Sequence, residues 1–235
     1  MIKRYATFLF LATLMIGSAH AAIVTSDTDL SVTDHREGAT ITTFYDSLTN
    51  VVAGSAPTSS GTNRVGLDVS DVSGQSITLA SAITLDSIYM GYNDQQSSGT
   101  FDLRVDAGYD GSFDHTYRVT LETVGDLQTG GGNGGPFHFI QFDLSAANIT
   151  LGAGAHSFTL VGITDEGEGG FLFGTTHGGD GYAGGDRLFA SNGSAGNAQS
   201  GSDQFFAVSA VPEPSAALLV LSSLVRHCSC AVRRA

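Results

Sequence analysis

The chain has 235 residues, with 23 acidic side chains against 10 basic ones, a formal net charge of −13, 31 glycines and no tryptophan. A field of that sign excludes nucleic acid and anionic membrane surfaces as favourable partners and suits cations, neutral polysaccharides and water. Both cysteines, Cys228 and Cys230, lie in the extreme C-terminal tail, so the rest of the chain cannot be stapled by disulfides.

The N-terminus carries Lys3 and Arg4, an apolar stretch from Tyr5 to Ile16, and the small-residue pattern Ala19-His20-Ala21. These three regions in this order predict a secretory signal peptide over residues 1–21, cut between Ala21 and Ala22. The segment 22–210 that follows holds 189 residues, enough for one domain with its own core. It keeps 5 basic and 22 acidic residues, a net charge of −17.

Along this segment short runs alternate apolar and polar residues with a period of two, the pattern of half-buried strands. Strands are predicted over 39–45, 64–69, 75–80, 83–92, 100–108, 115–123, 137–144, 149–151, 156–164, 170–174 and 204–210, with "DRLFAS" (186–191) as a further one. Phe101, Leu103 and Val105 share one face of their strand, and Tyr117, Val119 and Leu121 share one face of the next. Asp110-Gly111 between these two strands is a hairpin signal. "DLSAAN" (143–148) suits a single helical turn. The glycine-rich stretches 129–136 and 174–203 read as loops. Many short strands, glycine-rich turns and no long helices predict an all-β antiparallel sandwich, jelly-roll-like, with a closed barrel as the alternative.

The chain ends in "VPEPSAALLVLSSLVRHCSCAVRRA". Pro212 and Pro214 remove backbone donors and disfavour helix just before them, so Val211–Ser215 is expected to be extended and accessible. Ala216–Val225 carries no charge and would cover about 15 Å as a helix, half a hydrocarbon core. Arg226, Arg233 and Arg234 follow, on the side expected to stay cytoplasmic. Residues 211–235 resemble the PEP-CTERM sorting signal of bacterial surface proteins, with Val211, Pro212, Glu213, Pro214 and Ser215 at the motif. The resemblance covers this segment alone. It implies an exosortase-type membrane peptidase as partner, contact with the inner membrane through the C-terminal segment, and delivery to the cell surface or extracellular matrix. The apolar run is shorter than is usual in that family, and the basic cluster is split by "HCSCAV".

Candidate chemistry is sparse. Asp106, Asp110 and Asp114 recur every four residues around Gly111, a spacing with two readings. They could supply oxygens to calcium, or they could cap the backbone of an Asp-Gly turn. The turn is favoured, since Gly108 and Tyr117 stand where an EF-hand needs ligands. Asp165, Glu166 and Glu168 form a second acidic group. Neither the five histidines of this segment nor its serines fall into a metal-hydrolase or nucleophile-elbow spacing. Tyr92, Tyr109, Tyr182 and Phe189 are the aromatics nearest to loops and are the candidates for stacking on sugars. The expectation is a non-enzymatic surface or matrix protein of structural or adhesive type. A carbohydrate-binding module, calcium-stabilised, is the alternative, with extracellular polysaccharide as partner. A secreted carbohydrate-active enzyme stands third.

Overall fold

A computed structural model of the chain describes residues 22–25, 27–35, 41–56, 63–67, 70–93, 99–122, 137–165, 171–175, 181–190 and 196–212. In chain order the strands are β1 (Ala22–Thr25), β2 (Ser31–His35), β3 (Val51–Ser55), β4 (Asn63–Leu67), β5 (Val72–Leu79), β6 (Ile83–Asn93), β7 (Gly99–Asp106), β8 (His115–Glu122), β9 (Phe137–Asp143), β10 (Thr150–Leu151), β11 (Gly154–Asp165), β12 (Phe171–Thr175), β13 (Arg187–Ala190), β14 (Asn197–Gln199) and β15 (Phe206–Ala210). One helix, α1 (Ile41–Ser47), and a 3₁₀ turn at Ser145–Ala147 complete the described elements.

Two antiparallel sheets form a sandwich. The first runs β1-β8-β7-β11-β5-β13-β14. The second runs β2-β9-β6-β12-β4, with β10 also on β6 and β15 pairing both β6 and β3. Two separate sheets answer the choice between sandwich and barrel in favour of the sandwich.

The period-two pattern explains the core. Phe101, Leu103 and Val105 of β7 point inward with Tyr117 and Val119 of β8 and Phe158 and Leu160 of β11. They meet Leu85, Ile88 and Met90 of β6, Ile140 and Phe142 of β9, and Phe206 and Val208 of β15. Phe101 meets Phe142 edge-on, with ring centroids 6.1 Å apart. Each such side chain stabilises the fold by about 1.5–3 kcal/mol on burial. Leu85 and Ile88 can both face inward because the β6–β15 register passes from Ala210↔Leu85 to Ser209↔Ser87. That bulge turns both Asp86 and Ser87 outward.

One sequence expectation changes. Residues 39–45 alternate like a strand, but Ile41–Ser47 is a helix. Its reason is tertiary: Phe44, Tyr45 and Leu48, at helical spacing, cover Tyr89, Phe139 and Ala207 on the outer face of the second sheet. Within the stretch 174–203, β13 falls on the predicted strand 186–191, and β14 is additional. β1, β2, β3 and β14 have no counterpart in the sequence reading. They are short, and "VVAGS" and "SVTDH" do not separate polar from apolar positions cleanly.

Candidate functional site

The outward residues of β7 and β8 are Thr100, Asp102 and Arg104, and Thr116, Arg118 and Thr120. The antiparallel register sets Thr100 opposite Thr120, Asp102 opposite Arg118 and Arg104 opposite Thr116. With Asp27 and Ile163, all but Arg104 line an open groove of about 640 Å³. Asp102 is buried on its floor, 4% exposed. Arg118 grips it with both arms of the guanidinium, Nε to Oδ1 at 2.5 Å and Nη2 to Oδ2 at 2.9 Å. The hydrogen bond to Asp102 is the main reason the Arg118 pKa is raised. Arg104 Nη2 stands 3.9 Å from the same carboxylate, and its guanidinium lies over the Phe113 ring at 5.0 Å. Asp27 Oδ2 accepts the backbone N–H of Arg118 at 2.5 Å. The hydroxyls of Thr100 and Thr120 are 3.0 Å apart.

This face presents hydroxyls and a neutralised ion pair on rigid strands. It can hydrogen-bond a hydroxyl-bearing ligand. Among the described residues its lining holds no aromatic side chain, and both its carboxylates accept hydrogen bonds from Arg118. The alternation T-x-D-x-R and T-x-R-x-T, residues 100–104 and 116–120, signalled outward polar residues. The pairing of the two strands, which makes the ion pair, is not visible in either run alone.

The acidic turn between β7 and β8 is built from the three expected aspartates. Asp106 Oδ1 accepts the N–H of Gly108 at 3.0 Å and of Asp110 at 3.2 Å, and Oδ2 that of Gly111 at 2.7 Å. Asp110 Oδ1 accepts from Ser112 N at 2.9 Å, and Asp114 Oδ2 from Ala107 N at 2.8 Å. Tyr109 and Gly111 take the positive φ values of 49° and 85° that close the turn. Every one of the three carboxylates thus caps backbone. Among the described residues no group of three or more His, Cys, Asp or Glu is placed to hold a metal ion.

The outer face of the second sheet carries a further polar row beside α1. His35 Nε2 meets Gln141 Oε1 at 2.8 Å, Gln141 Nε2 donates to Ser87 Oγ at 3.0 Å, and Ser209 Oγ donates to Asp86 Oδ2 at 3.1 Å. Burial raises the pKa of the adjacent Tyr89 hydroxyl. The bulge at Asp86 creates this row.

Between the sheets lies a third polar assembly. Asp203 Oδ1 accepts from Gln75 Nε2 at 2.7 Å, and Oδ2 from Gly181 N at 2.8 Å and Tyr182 N at 2.9 Å. Gln204 N donates to Gln75 Oε1 at 3.0 Å, and Gln204 Nε2 to Ser73 Oγ at 2.6 Å. The neighbouring Arg187 Nε has no hydrogen-bond partner. The Arg187 guanidinium sits 5.3 Å from the Phe189 ring, and burial lowers its pKa. Sequence reasoning missed this assembly, because its members are scattered from residue 73 to residue 204.

The expected sugar-stacking aromatics do not converge. Tyr109 is exposed on the acidic turn. The Tyr182 hydroxyl donates to Thr78 O at 3.1 Å, and its ring meets Phe206 edge-on at 5.5 Å, a structural role. Phe189 lies under Arg187. Tyr92 is in β6, but its side chain is not among those described. His156 Nε2 is 2.8 Å from Gly152 O, a buried turn contact. Asp165 ends β11, while Glu166 and Glu168 lie outside the described residues. Of the processing residues, Ala22 heads β1, and Val211 and Pro212 follow β15 exposed to solvent. Ala19, Ala21, Glu213, Pro214, Ser215, Arg226, Arg233 and Arg234 lie outside the described residues. Among the described residues no helix is long and apolar enough to cross a membrane.

The fold defines an antiparallel β-sandwich protein with a polar groove across one sheet. No family model, no curated protein and no solved structure matches the chain.

Proposed function

We propose that this chain is an exported bacterial protein of structural or adhesive type, at the cell surface or in the extracellular polymer matrix. In this reading residues 1–21 are a signal peptide, 22–210 a jelly-roll-like sandwich, and 211–235 a PEP-CTERM-like sorting segment with a short membrane helix, handled by an exosortase-type peptidase. One observation carries it: the last described strand ends where the motif begins. β15 ends at Ala210, and among the described residues the last backbone hydrogen bond to the sandwich is Val211 N to Thr84 O at 2.9 Å. Val211, 38% exposed, and Pro212, also exposed, follow that strand outside any element, the accessible start that a peptidase acting on the motif would need. Ala22, the residue after the expected signal cleavage, begins the edge strand β1 opposite Glu122, so the sheet keeps all of its described pairing after that cut.

The test is to express the full chain in a host that carries an exosortase, fractionate the cells with an antibody to the domain, and weigh the product intact. The expected product begins near Ala22, ends near Val211–Ser215, and is found outside the inner membrane. A cytosolic product that keeps residues 1–21 overturns export. A full-length C-terminus held in the inner membrane overturns processing.

The groove supports a second reading, binding of a neutral polysaccharide. Its hydroxyls, Asp27 and the Arg118–Asp102 pair suit a hydroxyl-rich chain, and the net charge of −17 opposes an acidic one. Retention of the domain in gels containing neutral glycans, lost on Thr116→Ala, an exposed lining residue, with the melting temperature kept, is the expected result. Equal mobility with and without glycans sinks it.

A further inference from the structure

Among the described residues four large apolar side chains stand exposed: Val51, Val52, Tyr109 and Val211, at 37, 41, 40 and 38%. The three valines share one end of the sandwich. Val51 pairs with Ser209, two residues before Val211. Ala210 N donates to Asn50 O at 3.1 Å, which ties the two segments together there. The β3–β15 register passes from Ala53↔Val208 to Val51↔Ser209, so Val52 is an extra, bulged residue. The bulge leaves two consecutive valines outward, where plain alternation would hide one. Edge strands ordinarily carry charge or proline at such a place. β3 carries apolar surface instead.

This patch lies at the exit of the chain. From Val211 to Ala216, where the uncharged run begins, is five residues. Fully extended, they reach about 18 Å at most. If that run enters a bilayer, the end of the sandwich bearing the valines is held at the lipid surface.

We infer that Val51, Val52 and Val211 form a membrane-contact face, and that its partner is the lipid bilayer entered by Ala216–Val225. The inference rests on the sorting-segment reading above. The contact is apolar in origin. The domain's net charge of −17 makes zwitterionic lipid the better surface, and anionic lipid weakens the contact. Its consequence is orientation: the tethered domain stands on this end, with the groove on the outer face of the first sheet turned along the membrane rather than into it.

The absence of tryptophan from the natural chain makes the test clean. Single tryptophans are placed by Val52→Trp, Asn197→Trp and Leu221→Trp in the full-length chain, reconstituted in phosphatidylcholine vesicles with brominated acyl chains. Leu221→Trp reports insertion of the apolar run. Asn197→Trp, exposed on the edge strand β14 of the other sheet, is the control. The expected result is loss of emission and a blue shift at residues 52 and 221 and neither at 197. Adding Val51→Asp and Val211→Asp should restore the emission at 52 and leave 221 quenched; both side chains are exposed, so the fold tolerates the change. Quenching at 221 without quenching at 52 overturns the contact face and leaves the sorting segment standing. Quenching at 52 that survives both aspartates also overturns it. Absence of quenching at all three positions overturns the sorting-segment reading and the contact face together.

Discussion

Asp106 and Asp203 are both 1% exposed, and each carboxylate accepts at least three N–H donors. They differ in where the donors come from. Those of Asp106 lie 2, 4 and 5 residues downstream, within one turn. Those of Asp203 lie 128, 22 and 21 residues away, on β5 and on the approach to β13. The first carboxylate shapes a turn, which costs little loop entropy to close. The second fastens three distant segments where the sheets meet, and so closes large loops. The same chemistry is therefore expected to matter unequally.

The largest effect is expected for Asp203→Ala. It leaves the Gln75 amide and two backbone N–H groups buried without that acceptor, a cost of about 3–5 kcal/mol. Gly185→Ala tests the same latch by space rather than charge. A Cβ there would lie 1.9 Å from Ser76 O, and backbone on both sides cannot yield. The segment is held there by Ser76 N to Asp186 O at 2.9 Å and Asp186 N to Ser76 Oγ at 2.8 Å. Both variants should lower the urea midpoint far more than Asp106→Ala. That change is expected to cost about 1–3 kcal/mol, because the opened turn can hydrate its amides. A midpoint shift for Asp106→Ala as large as that for Asp203→Ala breaks the comparison.

The same contrast explains what the sequence discloses. The acidic turn was legible because its donors, acceptors and Gly111 lie in one run of residues. The sandwich was legible because inward residues such as Phe101, Leu103 and Val105 repeat with period two. α1 was not, because residues 39–45 alternate while the surface that rewards a helix, Tyr89 and Phe139, lies far along the chain. The Arg118–Asp102 pair and the Gln75–Asp203–Gln204 assembly depend on strand register, which local patterns do not encode. Proximity in sequence made one aspartate readable and hid the other.

A smaller effect should appear in alkali. Burial raises the pKa of Tyr45, Tyr89 and Tyr117 above the ordinary 10.0, with nearby aspartates adding to it. A raised folded value means that the stability is fully present below the unfolded pKa. It is lost as pH rises through the folded values. The melting temperature should therefore hold to about pH 10 and fall above it. Tyr45→Phe and Tyr89→Phe should each reduce the fall. Since Tyr45 and Tyr89 lie on the outer face of the second sheet, away from both aspartates compared above, an unchanged fall in these variants assigns the alkaline loss elsewhere.

The smallest effect belongs to the rim of the acidic turn. Asp110 is fully exposed, and its pKa is lowered chiefly by hydrogen bonding with Ser112. A lowered folded value gives stability that is present above the unfolded pKa of 3.8 and lost as pH falls through the folded one. Asp110→Asn should remove a slight acid slope below about pH 4 and change nothing at neutral pH. Calcium addresses the same carboxylates from the opposite direction. A cation must compete with the backbone amides that Asp106, Asp110 and Asp114 already hold, and Asp106 would have to give up three of them. Millimolar calcium is therefore expected to leave the melting temperature of the wild type and of Asp110→Asn equal and unmoved. A rise in the wild type that Asp110→Asn abolishes would make the turn a cation site. The local carboxylate would then be the functional one of the pair, and the distant one the structural.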